Sequence, residues 1–374
     1  MDLVHSYLAN TPPPENVAEL KGHKEIPVHI HIPKCGGTFI RRTLSELLRL
    51  YCLAVHKIIP VKRGAVVLIG GHPDSILPHA GSAQTGLTAY CAIQKNDYTP
   101  PKPPGTEADT TLYSMAVEDF IESVKNGSLD VFSISVTSVL LARKRVADLE
   151  KIERSLKLKY FVSLRAPFER ANSLYFVHKK RQPDLPCFSE DAPSLQEFEK
   201  FLLSEYSEPN WVSCFLAYVF NSKTGGVANA PMSEEVFKSL ARVMSTVATI
   251  PMSSIGKGLR DLFSEVYSPY IGNLALEIES QAPDEYFNRG HNKKAYNQND
   301  INSNCLNSFN TANSYDIELC NSCGYTAKPQ KLLYDSQWRT RYTVTELNKL
   351  MESGMSLEQI FEAERKTPLV GRTW

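Results

Sequence analysis

The stretch VHIHIPKCGGT, residues 28–38, decides the fold of this chain because an apolar strand runs directly into a loop that contains lysine and glycine. Val28, Ile30 and Ile32 alternate with two histidines at the period of a strand, and prolines bracket the run. After the loop, apolar residues recur at helical spacing from Phe39 to Tyr51. The sequence therefore predicts a strand, a tight loop and an amphipathic helix in succession.

The loop itself is typical of an anion-binding site. Gly36, Gly37 and Thr38 fall at the start of the predicted helix, where unpaired backbone N–H groups and the positive end of the helix dipole meet. Lys34 adds a mobile positive charge. A nucleoside triphosphatase P-loop would place the lysine after the glycines, whereas here it precedes them. Two glycines could also serve tight packing alone, but the lysine and threonine in register favour an anion site.

A second strand, turn and helix is predicted at residues 160–178. An apolar strand ends at Leu164, and a helix follows with Pro167 in its first turn. Arg165 lies between them, and its planar guanidinium suits a phosphate. Ser173 lies two helical turns further on and can add a hydroxyl from the same side.

A histidine follows a third predicted strand. Residues 65–69 form an apolar run, and Gly-Gly-His72 comes next. Open parallel sheets bind ligands beyond the carboxyl ends of their strands, so we expect Lys34, His72 and Arg165 at one edge. An imidazole that titrates near neutrality suits a general base. The same histidine could instead only hydrogen-bond the loop or close over a ligand.

Together the two loops resemble the phosphate-binding loops of sulfotransferases that use 3'-phosphoadenosine 5'-phosphosulfate (PAPS), in particular the carbohydrate O-sulfotransferase branch. The family version His-Ile-Pro-Lys-Thr-Gly-Gly-Thr matches residues 31–38 at every position except Cys35. The family's Leu-Arg-Asp-Pro, with a later Arg, Ser and Tyr, is similar to residues 164–175, where Ala166 replaces the aspartate. The resemblance spans about residues 26–325.

The resemblance implies an α/β fold of the P-loop-like sulfotransferase type, with a central parallel sheet flanked by helices on both faces. It also implies transfer of a sulfuryl group from PAPS to a hydroxyl of a glycan or a small natural product, with no metal required. Lys34 would stabilise the leaving group and His72 would act as the general base. The cofactor-binding residues would be Lys34, Cys35, Gly36, Gly37, Thr38, Arg165 and Ser173.

Two other functions remain compatible with the residues. A nucleoside or metabolite kinase with a degenerate phosphate loop would bind ATP and magnesium. A non-catalytic binding protein on the same scaffold would be consistent with the departures at Cys35 and Ala166.

The amino-acid composition limits the classes of partner that we expect for this protein. The 374 residues carry 41 basic and 41 acidic side chains, and this balance argues against a nucleic-acid partner. No run approaches the roughly 20 apolar residues of a membrane span, and the N-terminal stretch is polar, so we expect a cytoplasmic protein without a span. Cys320 and Cys323 form a lone C-x-x-C without further ligands at a zinc spacing.

The expected domain organisation has three parts. Residues 1–25 are an N-terminal extension, and residues 26–325 form the sulfotransferase domain. An insertion at about 81–137 is expected to be a folded lid or a partner surface. Residues 326–374 are a helical extension that offers a contact for a homodimer. Residues 283–315 are rich in Asn and Ser, which predicts a mobile loop.

Overall fold

The structure is a computed structural model that describes residues 25–51, 64–69, 86–93, 112–137, 143–189, 193–228, 230–281 and 296–324. His72 lies outside the described residues, as do the C-terminal extension and all but the last residue of the N-terminal extension. The expectations for these segments stay predictions. Within the described ranges, no helix is long and apolar enough to cross a membrane.

One sheet of seven strands forms the centre of the molecule. The strands are β1 Ile26–His31, β2 Gly64–Ile69, β3 Gly86–Ile93, β4 Leu112–Met115, β5 Leu129–Thr137, β6 Leu158–Leu164 and β7 Ala248–Pro251. Their order across the sheet is β4-β2-β3-β5-β1-β6-β7. β1 lies between β5 and β6 and is parallel to both, so the two predicted phosphate loops leave neighbouring strands at the same edge.

Helices fill the connections. They are α1 Gly37–Tyr51, α2 Val117–Lys125, α3 Arg143–Ser155, α4 Pro167–Arg181, α5 Leu195–Leu202, α6 Trp211–Val219, α7 Asn221–Thr224, α8 Glu234–Met244, α9 Ile255–Val266, α10 Pro269–Gln281, α11 Ser303–Ala312 and α12 Ser314–Ser322. The strand, loop and helix predicted from residue 28 are confirmed as β1 and α1, and those predicted from residue 160 are confirmed as β6 and α4.

Each face of the sheet is covered by its own set of helices. On one face, Val28 and Ile30 of β1 belong to an apolar cluster with residues of α2, α3, α6, α8 and α12. On the other face, Phe161 of β6 belongs to a cluster with α1, α9 and α10. The α/β class and the two helical layers are therefore as expected from the sequence.

The sheet is mixed but mostly parallel, so the expected central parallel sheet is confirmed only in part. β3 runs antiparallel to both neighbours, β2 and β5. The segment interpreted as an insertion, 81–137, supplies β3, β4 and β5, and β5 pairs directly with β1. Its described strands are therefore part of the sheet and not a lid over it. A short apolar run in a sequence gives neither the direction of a strand nor its partner, which is why this was missed.

Part of the Asn- and Ser-rich segment is helical, contrary to the expected mobile loop. α11 begins after Asn302, whose side chain accepts hydrogen bonds from the N–H groups of Asn304 and Cys305. Phe309 of α11 is buried against Phe168 of α4. Capping and one large aromatic anchor therefore order a helix that composition alone does not favour.

The starts of α6 and α12 cap each other. The Asp316 carboxylate accepts hydrogen bonds from the N–H groups of Val212 at 3.1 Å and Ser213 at 2.7 Å. In return, the side-chain oxygen of Asn210 accepts from the N–H groups of Tyr315 at 2.9 Å and Asp316 at 3.1 Å. These bonds satisfy N–H groups that have no partner within their own helices. The pair of helices is thereby fixed behind the second phosphate loop.

We expect Asp316→Ala to lower the free energy of unfolding by about 1–3 kcal/mol, because it leaves two buried N–H groups without an acceptor. Urea denaturation measures this. Glu318→Ala, at an exposed position of the same helix, is the matched control and should change little. Equal losses in the two variants would contradict the role given to Asp316.

Candidate functional site

The loop between β1 and α1 has an unusual backbone. Lys34 has φ +68° and Gly36 has φ +81°, both in the left-handed region. For a lysine this conformation costs roughly 1–2 kcal/mol, so the surrounding structure must impose it.

Three consecutive carbonyl groups of this loop accept hydrogen bonds from side chains of β6, of α4 and of the turn between them. The Pro33 carbonyl accepts from Arg170 Nε at 3.3 Å, and the Lys34 carbonyl accepts from Arg165 Nη1 at 3.2 Å. The Cys35 carbonyl accepts from the Ser163 hydroxyl. The second phosphate-loop motif therefore fixes the shape of the first.

Fixing the carbonyls also directs the N–H groups. Within a trans peptide the C=O and N–H point in opposite directions, so the N–H of Gly36 points away from Ser163. The N–H groups of Gly36, Gly37 and Thr38 stand at the start of α1, where no preceding turn supplies an acceptor. An anion placed there would meet several backbone donors and the positive end of the helix dipole.

Both glycines are required by close neighbours. A Cβ on Gly37 would lie 1.7 Å from Cδ2 of His31, and a Cβ on Gly36 would lie 2.9 Å from Cδ1 of Ile255. The His31 ring is buried against the first residue of α1, which the alternating pattern of β1 did not indicate.

Several positive charges surround the loop. Burial, followed by the charges of Arg181, Arg165 and Arg170, lowers the pKa of Lys34 to about 8, and Glu208 opposes this only in part. The part of this lowering that comes from the three arginines shows that Lys34 lies in a positive field. A bound anion would relieve that repulsion.

The two buried arginines also have partners other than the carbonyl groups of the loop. Arg165 is 4% exposed and lies 3.6 Å from the Glu169 carboxylate. Arg170 is 3% exposed, forms an ion pair with Glu208, and lies 4.8 Å from the Trp211 ring centroid. Both therefore act on a ligand chiefly through their charge and through the loop that they hold.

The structure brings most of the sequence-predicted site residues together. Lys34, Gly36, Gly37 and the backbone of Thr38 lie at the start of α1, and Arg165 contacts Lys34 directly. Ser173 is half-buried on α4, and by helical spacing it shares a face with Arg170 and Arg181.

The two remaining predicted site residues are Cys35 and His72. The Cys35 side chain is fully buried in the apolar cluster, so it contributes its backbone and not its thiol. Burial also raises the pKa of that thiol to about 11. His72 lies outside the described residues. β2, which ends at Ile69, runs parallel to β1 and β6 in the sheet, so its carboxyl end lies at the same edge.

Sequence reasoning missed the supporting residues of the site. Ser163 and Arg170 hold carbonyls of a loop that precedes them by more than a hundred residues. Arg170 belongs to the second motif, which was the one available signal. Nothing in the alternation of β6 distinguishes Ser163.

The cysteine pair lies behind the second loop. The Cys320 thiol contacts the Arg165 carbonyl oxygen at 3.7 Å, and burial raises its pKa. Across the described ranges, no three His, Cys, Asp or Glu side chains come together as a metal site.

Comparisons of the chain with protein-family models, with curated proteins and with solved structures found no match. The function must therefore be argued from the site itself.

We expect Gly37→Ala to lower the free energy of unfolding by about 2–3 kcal/mol, because the new methyl overlaps the buried His31 ring. Gly225→Ala is the control. Unlike Gly37, Gly225 has a positive φ, +73°, but no atom lies within 4 Å of an added Cβ, so only about 1 kcal/mol should be lost, from backbone strain alone. Thermal denaturation of both variants checks this, and equal losses would contradict the close packing at Gly37.

Proposed function

We propose that this protein is a PAPS-dependent sulfotransferase that acts on an acceptor hydroxyl. The observation that carries the proposal is the fixed loop at the start of α1. The carbonyl groups of this loop accept hydrogen bonds from Ser163, Arg165 and Arg170, and its N–H groups at the start of α1 point to one side. Lys34 belongs to the same loop and lies in a positive field.

The residues fit a ligand that carries anionic groups at two ends. β1 and β6 are neighbours in the sheet, so their loops lie about one strand spacing apart, roughly 5 Å. The amides of residues 36–38 and Lys34 would bind the 5'-phosphosulfate. The charge of Arg165 and the hydroxyl of Ser173 would favour the 3'-phosphate. The donor, when bound, supplies an activated sulfuryl group.

The chain's own groups would carry out the remaining work. Lys34 would stabilise the negative charge that develops on the bridging oxygen, and the amides at the start of α1 would do the same for the phosphate. His72 is proposed to take the proton from the acceptor hydroxyl, because it follows β2 at the edge where β1 and β6 also end. Holding both partners at this edge would supply much of the acceleration.

A kinase with an altered phosphate loop is the rival enzyme. The two proposals differ in the ligand that the site should prefer, namely 3',5'-diphosphoadenosine (PAP) or ADP with magnesium.

We expect PAP to bind more tightly than magnesium ADP in calorimetric titration. Lys34→Ala should weaken PAP binding about tenfold to a hundredfold, the usual value of a charged hydrogen bond. Arg165→Ala should also weaken it, because that change removes a positive charge and the hydrogen bond that holds the Lys34 carbonyl. Arg154→Ala, at an exposed position of α3, is the control and should leave the affinity unchanged. Preference for magnesium ADP would support the kinase, and absence of PAP binding would exclude the sulfotransferase.

PAP affinity should also depend on pH through Lys34. Because the pKa of Lys34 is lowered to about 8, the side chain loses its charge as the pH rises through that value. We expect the affinity to fall about tenfold between pH 7 and pH 9. Lys34→Arg, which stays charged, should give a nearly flat profile. An equally steep profile in that variant would assign the pH dependence to another group.

A further inference from the structure

The face of the sheet that α1 covers is polar near the carboxyl edge. His29 and His31 of β1, Ser133 and Ser135 of β5, and Tyr90 of β3 are all buried there. On the opposite face the same strands are apolar. Central strands that are covered on both sides normally carry apolar residues on both. Ser133 donates to the Pro27 carbonyl at 2.9 Å, but His29 Nε2 and His31 Nδ1 have no hydrogen-bond partner, and their burial has a cost that packing does not explain.

Arg41 of α1 adds an unpaired cation to the patch. Its Nε is buried and has no hydrogen-bond partner, and no residue of the described ranges forms an ion pair with it. Burial lowers the pKa of Arg41, and its positive charge acts on both histidines. A largely buried cation without a counter-charge is strongly unfavourable.

Each histidine ring can donate one hydrogen bond and carries no negative charge. Burial, followed by the charge of Arg41, lowers the pKa of His31 to about 3. The pKa of His29 is also lowered, first by burial and then by His31 and Arg41. Both rings are therefore neutral. His29 Nδ1 lies 3.3 Å from the Ser135 hydroxyl, while His29 Nε2 and His31 Nδ1 have no partner. The chemical complement of this cluster is an oxyanion.

We propose that Arg41 and His31 form a second anion site, which binds an acidic group of the acceptor. The inference rests on the proposed sulfotransferase function. His31 packs against Gly37 at the phosphate loop, and Arg41 follows Gly37 by four residues, about 6 Å along α1. An acceptor bound this way is a compact molecule that carries a carboxylate or sulfate within several ångströms of its reacting hydroxyl.

The test is calorimetric titration of the whole chain with sodium sulfate and, separately, sodium acetate, at constant ionic strength in chloride. We expect sulfate to bind the free protein at the phosphate loop, the first site, and at Arg41, the second. PAP should compete with sulfate at the phosphate loop and leave the Arg41 site. Arg41→Gln should abolish the second site and leave PAP affinity unchanged, whereas Lys34→Ala should weaken only the first. Arg242→Gln, at an exposed position of α8, is the matched control and should retain both.

Arg41→Lys keeps the charge but loses the planar fork, which binds carboxylates and tetrahedral oxyanions bidentately, so it should weaken both acetate and sulfate. This variant also decides the question if Arg41→Gln does not fold. The inference is overturned if PAP-loaded protein binds neither anion, or if Arg41→Gln or Arg41→Lys binds both as the wild type does.

The two proposals fail separately. PAP binding without an Arg41-dependent anion site would overturn only the acceptor site. An Arg41-dependent anion site without PAP binding would overturn the sulfotransferase proposal, and with it the assignment of that anion to an acceptor.

Discussion

The hydrogen bonds from Ser163, Arg165 and Arg170 to three consecutive carbonyls of the first loop are the constraint on which the site depends. They hold Lys34 in a left-handed conformation and turn the loop's N–H groups towards one side. The interlocked starts of α6 and α12 in turn support the second loop, which Cys320 of α12 contacts. The anion site is thus a property of two strand ends and the helices behind them.

The charges around the loop also favour the binding of an anion. Arg165 and Arg170 are nearly fully buried and each has one carboxylate partner, yet their positive charges still act on Lys34 and lower its pKa. Burial and these charges together lower the pKa of Lys34, and Glu208 opposes them only in part. Arg41, four residues after Gly37 on α1, has a buried Nε without a hydrogen-bond partner. The free protein therefore holds an excess of positive charge around one helix start, and anionic ligands would stabilise it.

The sequence predicted the parts of the site whose signals are local. Alternating apolar residues, bracketing prolines and paired glycines identified β1, α1, β6 and α4 and placed Lys34 and Arg165 together. It could not predict that β3 reverses direction or that residues 129–137 pair with β1, because strand pairing is set by contacts distant in the chain. The roles of Ser163 and Arg170 were hidden for the same reason. α11 was missed because its caps and the burial of Phe309 outweigh a polar composition.

The most direct test of the account is the NMR chemical shift of the loop amides in protein labelled with nitrogen-15 and deuterium, with and without PAP. If the loop is an anion cradle, the amide protons of Gly36 and Gly37 will move downfield as they bond to phosphate oxygens, while that of the distant Gly225 will not move. Saturating PAP that leaves the Gly36 and Gly37 resonances in place would contradict the account, whatever the affinity.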